Sequence, residues 1–341
     1  MKSELTLRGP KVAIIADLHM GVHQNSVEWQ NIVNDFGHFL AQDLKQKKID
    51  TIFILGDLLH YRDEIAVNTI HSLSVLLQYW KDFQIVIFPG NHDCYFKDNS
   101  EIHSLSILKG YPNIVVLDTL TTVDLYGKTC TFCPWGTTPY DIPLSDFIFG
   151  HFEISSFKLN EYKTCEEGIS PRSLLSKSRN IFSGHFHTRQ VRGYDQGTIT
   201  YVGSPYHMDF GDHGERGYHI LNIDTEEIEF IENKLSPKHI VVKTSENNWR
   251  DPELENHFVK LIIDTEDAED PEKLIKEICD YKPRNITVDY NIKNKKIQLE
   301  TEIEFTNIHI ENSIRDFVEN LDIKNKKEVA DYTINLYNKV K

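Results

Sequence analysis

Cysteine is sparse in this chain, positive charge is outnumbered, and no apolar run is long enough to cross a bilayer. Five cysteines among 341 residues argue against a disulfide framework. Two of them, Cys130 and Cys133 in KTCTFC, make a CxxC pair. Zinc would need a second ligand pair at suitable spacing, and none follows. In a strand, positions i and i+3 also point to opposite faces, so neither a zinc nor a redox role is expected. Apolar runs stop well short of the roughly 18–20 residues of a membrane span. The N-terminal stretch lacks the apolar core and cleavage site of a signal peptide, so a soluble, cytoplasmic protein without a membrane partner is expected. Lys and Arg number 37 against 52 Asp and Glu, a formal charge of −15. That is not the basic footprint of a free-standing nucleic-acid-binding domain. It leaves room for a protein that meets phosphate through metal ions or beside a partner.

What is present suits a large core. Hydrophobic residues make up 40% of the sequence and aromatics 11%, and the length fits two domains or one large domain with an appendage. Strand candidates occupy 11–17, 51–57, 84–90, 113–118, 128–133, 146–151 and 179–185. Several are continuous β-branched runs, the pattern of strands buried on both faces. A helix is predicted over 26–45, with Trp29, Val33, Phe36, Leu40 and Leu44 on one face and Ser26 as N-cap. A second, over 64–81, aligns Ile65, Thr69, Leu73, Leu76 and Trp80. This alternation predicts parallel strands covered by helices. GTITYVGSP and RGYHILNID read as antiparallel strands completing a two-sheet α/β core.

Composition shifts near residue 236. A polar connection is expected over 234–256, then a strand (257–265), a helix (271–281, with Asp270 as N-cap and Pro271 at N1), and strands at 285–292 and 296–305 around an IKNKKI hairpin turn. That is a small α+β module. Two helices close the chain, one striped by Ile310, Ile314, Phe317, Val318 and Leu321, the other by Val329, Tyr332, Thr333, Leu336, Tyr337 and Val340. The expected domains are therefore 1–236, 237–305 and 306–341.

Polar residues gather where the apolar strands end. Asp17-Leu18-His19 follows the first, Gly56-Asp57 the second, Gly90-Asn91-His92-Asp93 the third, then come Gly150-His151 and Gly184-His185-Phe186-His187. The carboxyl ends of parallel strands line one edge of a sheet, so these five loops should converge. Asp17 with His19, and His185 with His187, sit two apart in extended backbone and can chelate from one side. Asn91 offers a neutral carbonyl oxygen, and Asp57 has two oxygens with which to bridge two ions. Imidazole and carboxylate oxygen without thiolate suit manganese, iron or zinc. Two such ions would attract a phosphodiester anion, stabilise the charge of in-line attack and activate water.

At these residues the sequence resembles the calcineurin-like metallophosphoesterases, whose motifs D-x-H, G-D, G-N-H-D, G-H and G-H-x-H it carries in order. More narrowly it is similar to the SbcD/Mre-type DNA-repair nucleases, including the phage recombination endonuclease subunits, in GDLLH, Pro134-Trp135, GHFEISSF, SGHFHT and GSPYHMDFGD. The resemblance implies an α/β fold: a two-sheet metallophosphoesterase core, a β-sandwich flanked by helices, with a capping domain and a C-terminal helix pair. It implies that Asp17, His19, Asp57 and His187 hold one ion and that Asp57, Asn91, His151 and His185 hold the other. His92 would be the catalytic histidine, placed by Asp93 to protonate the leaving 3′-oxygen or orient the phosphate, and His60 would lie near the scissile phosphate. It further implies two divalent ions, manganese foremost, and exonuclease and endonuclease action on DNA in repair and recombination. The implied partners are a second copy, joined through helices flanking the site, and an SbcC-type coiled-coil ATPase bound by the C-terminal helices. The implied location is the cytoplasm of a prokaryote or of a phage-infected host.

Two other classes compete. A small-molecule phosphodiesterase or protein phosphatase would share the fold, but serine/threonine phosphatases carry an arginine four residues after the bridging aspartate, and here that position is Tyr61. A non-catalytic adaptor would show a lost ligand, and every ligand position is filled. His38, His71, His103 and His219 belong to no motif, and His207 reads as structural. Arg62 and Arg189 could contact phosphate, although loop arginines more often face solvent. Trp135 is expected in the core.

Overall fold

The apolar runs of the sequence become two six-stranded sheets stacked face to face. A computed structural model describes residues 5–159, 163–212, 214–246, 252–264, 271–291, 315, 318–319 and 325–340. Two units divide the chain, Met1–Asn291 and Ile292–Lys341. The strands of the first are β1 (Lys11–Ile15), β2 (Thr51–Ile54), β3 (Gln84–Ile87), β4 (Ile114–Val116), β5 (Thr121–Leu125), β6 (Lys128–Cys133), β7 (Phe147–His151), β8 (Asn180–Gly184), β9 (Gln190–Tyr194), β10 (Gly197–Tyr201), β11 (Gly217–Asn222), β12 (Ile228–Glu232), β13 (His239–Lys243), β14 (Phe258–Asp264) and β15 (Asn285–Asn291). One sheet has the order β12-β11-β1-β2-β3-β4, the other β5-β6-β7-β8-β10-β9. In the first, β1 to β4 are parallel and β11 runs antiparallel to β1, as expected. In the second, β10 departs from expectation. It lies parallel to β8 and antiparallel only to β9, so the parallel run β6-β7-β8-β10 is interrupted at its edge.

Side-chain alternation sorts these strands into layers. Val12, Ile14, Phe53, Leu55, Val86 and Phe88 of one sheet meet Phe132, Phe147, Phe149 and Phe182 of the other in the central core. Ala13, Ile15, Ile52, Ile54, Ile85 and Ile87 point the other way, against helices α1 (Val27–Lys47) and α2 (Val67–Tyr79). On the far side Cys133, Ile148, Ile181 and Ile199 pack beneath a short helix, α3 (Pro171–Leu175). With both faces covered, continuous apolar strands are what the chain needs. The CxxC pair divides as strand geometry requires: Cys130 faces the central core and Cys133 the outer one. Ser26 does occupy the N-cap position of α1, but its side chain makes no capping bond.

The small module is a third sheet, β13-β14-β15, parallel throughout, with α4 (Pro271–Asp280) between its last two strands. Its first strand falls inside the stretch expected to be a polar connection. The module packs on α1 through rings: Trp29 stacks on His239 and Phe258, each 5.6 Å away, and Arg284 donates to Glu28 at 2.6 Å. The expected Asp270 cap, the IKNKKI turn, the strand at 296–305 and most of the first terminal helix lie outside the described residues. In the second unit, α5 (Lys326–Val340) buries Ala330 and Ile334, while Val329 and Tyr332 of the expected stripe are exposed.

Phe53 is the pivot of the central core, fully buried with Phe132 and Phe149 each 5.2 Å away, nearly edge-on. Phe53→Ala is therefore expected to lower unfolding free energy by about 3–5 kcal/mol. Chemical denaturation checks this, and a loss under about 1 kcal/mol would contradict the assignment of Phe53 to a close-packed core.

Candidate metal centre

The carboxyl ends of β1, β2 and β3 from one sheet and of β7 and β8 from the other converge on one site. Asp17, His19, Asp57 and His185 all adopt left-handed backbone, with φ of 56°, 47°, 53° and 93°. Non-glycine residues seldom do so, and the cost is tolerated here because the surrounding loops fix each turn. The His19 amide donates to the Asp57 carbonyl at 3.0 Å, and the Asp17 amide to the Gly56 carbonyl at 3.2 Å. Gly56 and Gly90 allow the close approach. A Cβ on Gly90 would stand 2.2 Å from Asp57 Oδ1, and one on Gly56 2.5 Å from His151 Nδ1.

All seven expected ligands meet. Asp57 Oδ2 lies 3.5 Å from His19 Nε2 and 3.3 Å from His151 Nε2, so one oxygen faces both halves of the site. On one side His187 Nε2 is 3.0 Å from His19 Nε2. On the other, Asn91 Oδ1 is 2.9 Å from His151 Nε2 and 2.8 Å from His185 Nδ1. Asp17 Oδ1 accepts the His185 amide at 3.0 Å, while its buried Oδ2 has no hydrogen-bond partner. His151 Nδ1–H donates to the Leu55 carbonyl at 2.7 Å, which turns Nε2 inward as a ligand.

The electrostatics fit cations. Burial, reinforced by neighbouring imidazoles, pushes His185 down to about 3 and His187 and His19 below the ordinary histidine value, so these rings are neutral and able to ligate. Burial raises Asp17 to about 7, with the Asp57 charge adding to the effect and His151 opposing it. Burial would raise Asp57 as well, but His151 and His19 outweigh it and hold the carboxyl well below the usual range. His151 is the reverse case, drawn up to about 9 by Asp57 against its own burial. Buried carboxylates, inward imidazole nitrogens and one unpartnered carboxylate oxygen are a donor set for divalent ions.

Three residues sit differently from expectation. Asp93 makes no hydrogen bond to the His92 ring. Its buried carboxylate accepts the amides of Leu59 and Gly90, each at 3.0 Å, and so braces the loops that carry Asp57 and Asn91. The His92 ring is held instead by the His60 carbonyl, 2.8 Å from Nδ1, and the two rings stack at 5.1 Å. His60 Nδ1 also lies 3.2 Å from His19 Nδ1. His19, His60 and His92 could together reach one ion, but that set has no carboxylate and His92 Nδ1 is already committed. Trp135 is half-buried at the rim, 5.2 Å from the His185 ring, and is not a core residue. Arg189 lies over Phe230 and donates to His219, while Arg62 Nη1 is buried without a hydrogen bond.

Sequence inspection missed Arg216, which is 3% exposed. Its guanidinium donates to the His187 carbonyl, to Ser204 Oγ at 2.9 Å and to Asp212 Oδ1 at 2.8 Å. Asp212 Oδ2 in turn accepts the Met208 amide. Tyr206 donates its hydroxyl to the Leu18 carbonyl, between Asp17 and His19. Both ends of the 204–216 segment thus hold loops that carry ligands, and no sequence motif marks Arg216. Arg216→Met is expected to weaken divalent-ion affinity about 10- to 100-fold, with Arg216→Lys between the two. Calorimetric titration of folded variants checks this, and unchanged affinity in Arg216→Met would remove the residue from the site.

Residues 10–195 match the calcineurin-like phosphoesterase family. The chain is 30% identical over 240 residues to exonuclease subunit 1 of Enterobacteria phage T4, covering 66% of this chain and 68% of that protein. Among solved structures, a dimetal phosphatase from Danio rerio aligns with a TM-score of 0.41 at 9% identity, over 62% of this chain and 92% of the other. A hypothetical protein from Pyrococcus horikoshii aligns with a TM-score of 0.36 at 13% identity, over 65% and 87%. With its five strand-end motifs folded into one buried cluster of carboxylates and imidazoles, the chain belongs to the calcineurin-like phosphoesterases, which are metal-dependent hydrolases.

Proposed function

We propose that this protein is the nuclease subunit of an SbcCD-like recombination and repair complex, hydrolysing DNA phosphodiester bonds at ends with two manganese ions. The observation that carries the proposal is the pairing of two ligand sets about Asp57 with a stacked His60–His92 pair at their edge. Asp17, His19, Asp57 and His187 would hold one ion, and Asp57, Asn91, His151 and His185 the other. Ions held there would neutralise the phosphate and activate the attacking water. The chain's own part is positional. His92 donates Nδ1–H to the His60 carbonyl, which fixes the ring; in its doubly protonated form the Nε2 proton would pass to the departing 3′-oxygen, leaving the neutral ring still bonded to that carbonyl. His60, brought down to about 4 by burial and the neighbouring His92, is a neutral ring that keeps His92 in place.

A phosphatase is the weaker alternative. Tyr61 stands where those enzymes place arginine, and its hydroxyl accepts the Gln24 amide at 3.2 Å. The charge of −15 favours a nuclease that works beside a partner rather than alone at physiological salt. The exposed Val329 and Tyr332 of α5 suit an SbcC-type ATPase as that partner. The exposed Val27, Val67 and Ile70, near the starts of α1 and α2, suit a second copy of the chain. A prokaryotic or phage-infected cytoplasm is the setting such a complex requires.

End-labelled linear duplex DNA with manganese is the direct assay. Wild-type protein should shorten it, and His92→Ala should slow cleavage by at least about 100-fold while metal binding stays intact. Equal cleavage by the variant would remove His92 from proton transfer.

A further inference from the structure

Beside the metal centre is a cavity of about 300 Å³ that the hydrolytic chemistry does not use. His151 forms one edge of it, and Trp135, Phe152 and Ile169 supply apolar walls. Thr137, Thr138 and two exposed acids, Asp98 and Glu153, supply the polar lining. Asp98 Oδ1 accepts from the Asn99 side chain at 3.0 Å and Glu153 Oε1 from the Cys165 thiol at 3.7 Å, so each carboxylate keeps a second oxygen. The indole is fixed: its Nε1–H donates to the Lys97 carbonyl at 2.7 Å, and the Trp135 amide to the Pro89 carbonyl at 2.9 Å. The walls close through two glycines with φ of +85° and +104°. A Cβ on Gly136 would lie 2.8 Å from the Asp98 carbonyl, and one on Gly168 2.5 Å from that of Glu153.

The chemistry of the lining selects its ligand. No Lys or Arg is among the described residues that line the cavity, and two carboxylates are, so a phosphate is repelled. A flat, uncharged ring can stack on a fixed indole. Ring amino groups can donate to carboxylates, which only accept. Trp135 is also 5.2 Å from His185 and 6.0 Å from His151, close enough for one nucleotide to span phosphate site and cavity. We propose that the cavity receives the nucleobase adjoining the scissile phosphate, and that it favours bases with an exocyclic amino group over thymine. This rests on the nuclease function proposed above and adds a base preference to it.

Calorimetric titration of the full chain in manganese buffer with dAMP, dCMP, TMP and deoxyribose 5-phosphate tests the assignment. The amino-bearing nucleotides should bind about tenfold more tightly than TMP or the base-free sugar phosphate. Trp135→Leu should bring all four to similar affinity. Asp98→Asn and Glu153→Gln, at exposed positions that folding tolerates, should narrow the gap between dAMP and TMP. Equal affinity for all four in the wild type, or a base preference that survives in Trp135→Leu, overturns the proposal. DNA cleavage is scored separately. Cleavage of DNA with base-blind binding overturns the cavity assignment alone. Hydrolysis of bis(p-nitrophenyl) phosphate without cleavage of DNA overturns the nuclease function, and this inference with it.

Discussion

One buried carboxylate organises the molecule. Asp57 is 1% exposed and lies against His19 on one side and His151 on the other. An ionised carboxylate so placed is costly unless it is met by positive charge and hydrogen bonds. The loops around it answer that requirement. The His92 amide donates to its Oδ1 at 2.8 Å, Gly90 leaves the space it fills, and strands from both sheets bring imidazoles to it. The stacked sheets matter to function because neither alone supplies both halves of the site.

The expected layout and the observed one diverge in a consistent way. The buried parallel strands β1 to β4 and β6 to β8 were legible because continuous apolar runs are distinctive. The strands not anticipated were β5, β9, β12 and β13, and each lies at the edge of its sheet; β13, HIVVK, is apolar but sits in a polar stretch. Edge strands meet solvent along one side and carry charged and polar residues there, as in QVRGY and IEFIE, so their pattern resembles a loop. The direction of β10 was equally hidden, since parallel and antiparallel pairing leave no mark on a five-residue strand.

The site followed the same division. Ligand motifs at strand ends could be collected from sequence because topology dictates where those ends go. What holds the ligands could not. Asp93 sits beside His92 in sequence, yet its carboxylate turns to backbone amides, and the carbonyl of His60, 32 residues away, takes the ring. Arg216 reaches His187 across 29 residues of chain, a contact no local spacing encodes. Trp135 lies in an aromatic-rich segment that reads as core until its exposure is known. His60 meets the site through its carbonyl, which takes the His92 ring, and through the face of its own ring, which stacks on that of His92.

As proposed above, Asp57 would join two metal ions into one centre. Low-temperature electron paramagnetic resonance of the manganese-loaded full chain tests it directly. Two ions bridged by a carboxylate should give an exchange-coupled spectrum, and Asp57→Asn should lose it. Wild-type protein that binds a single ion, or two ions with the spectra of isolated manganese, would contradict the account.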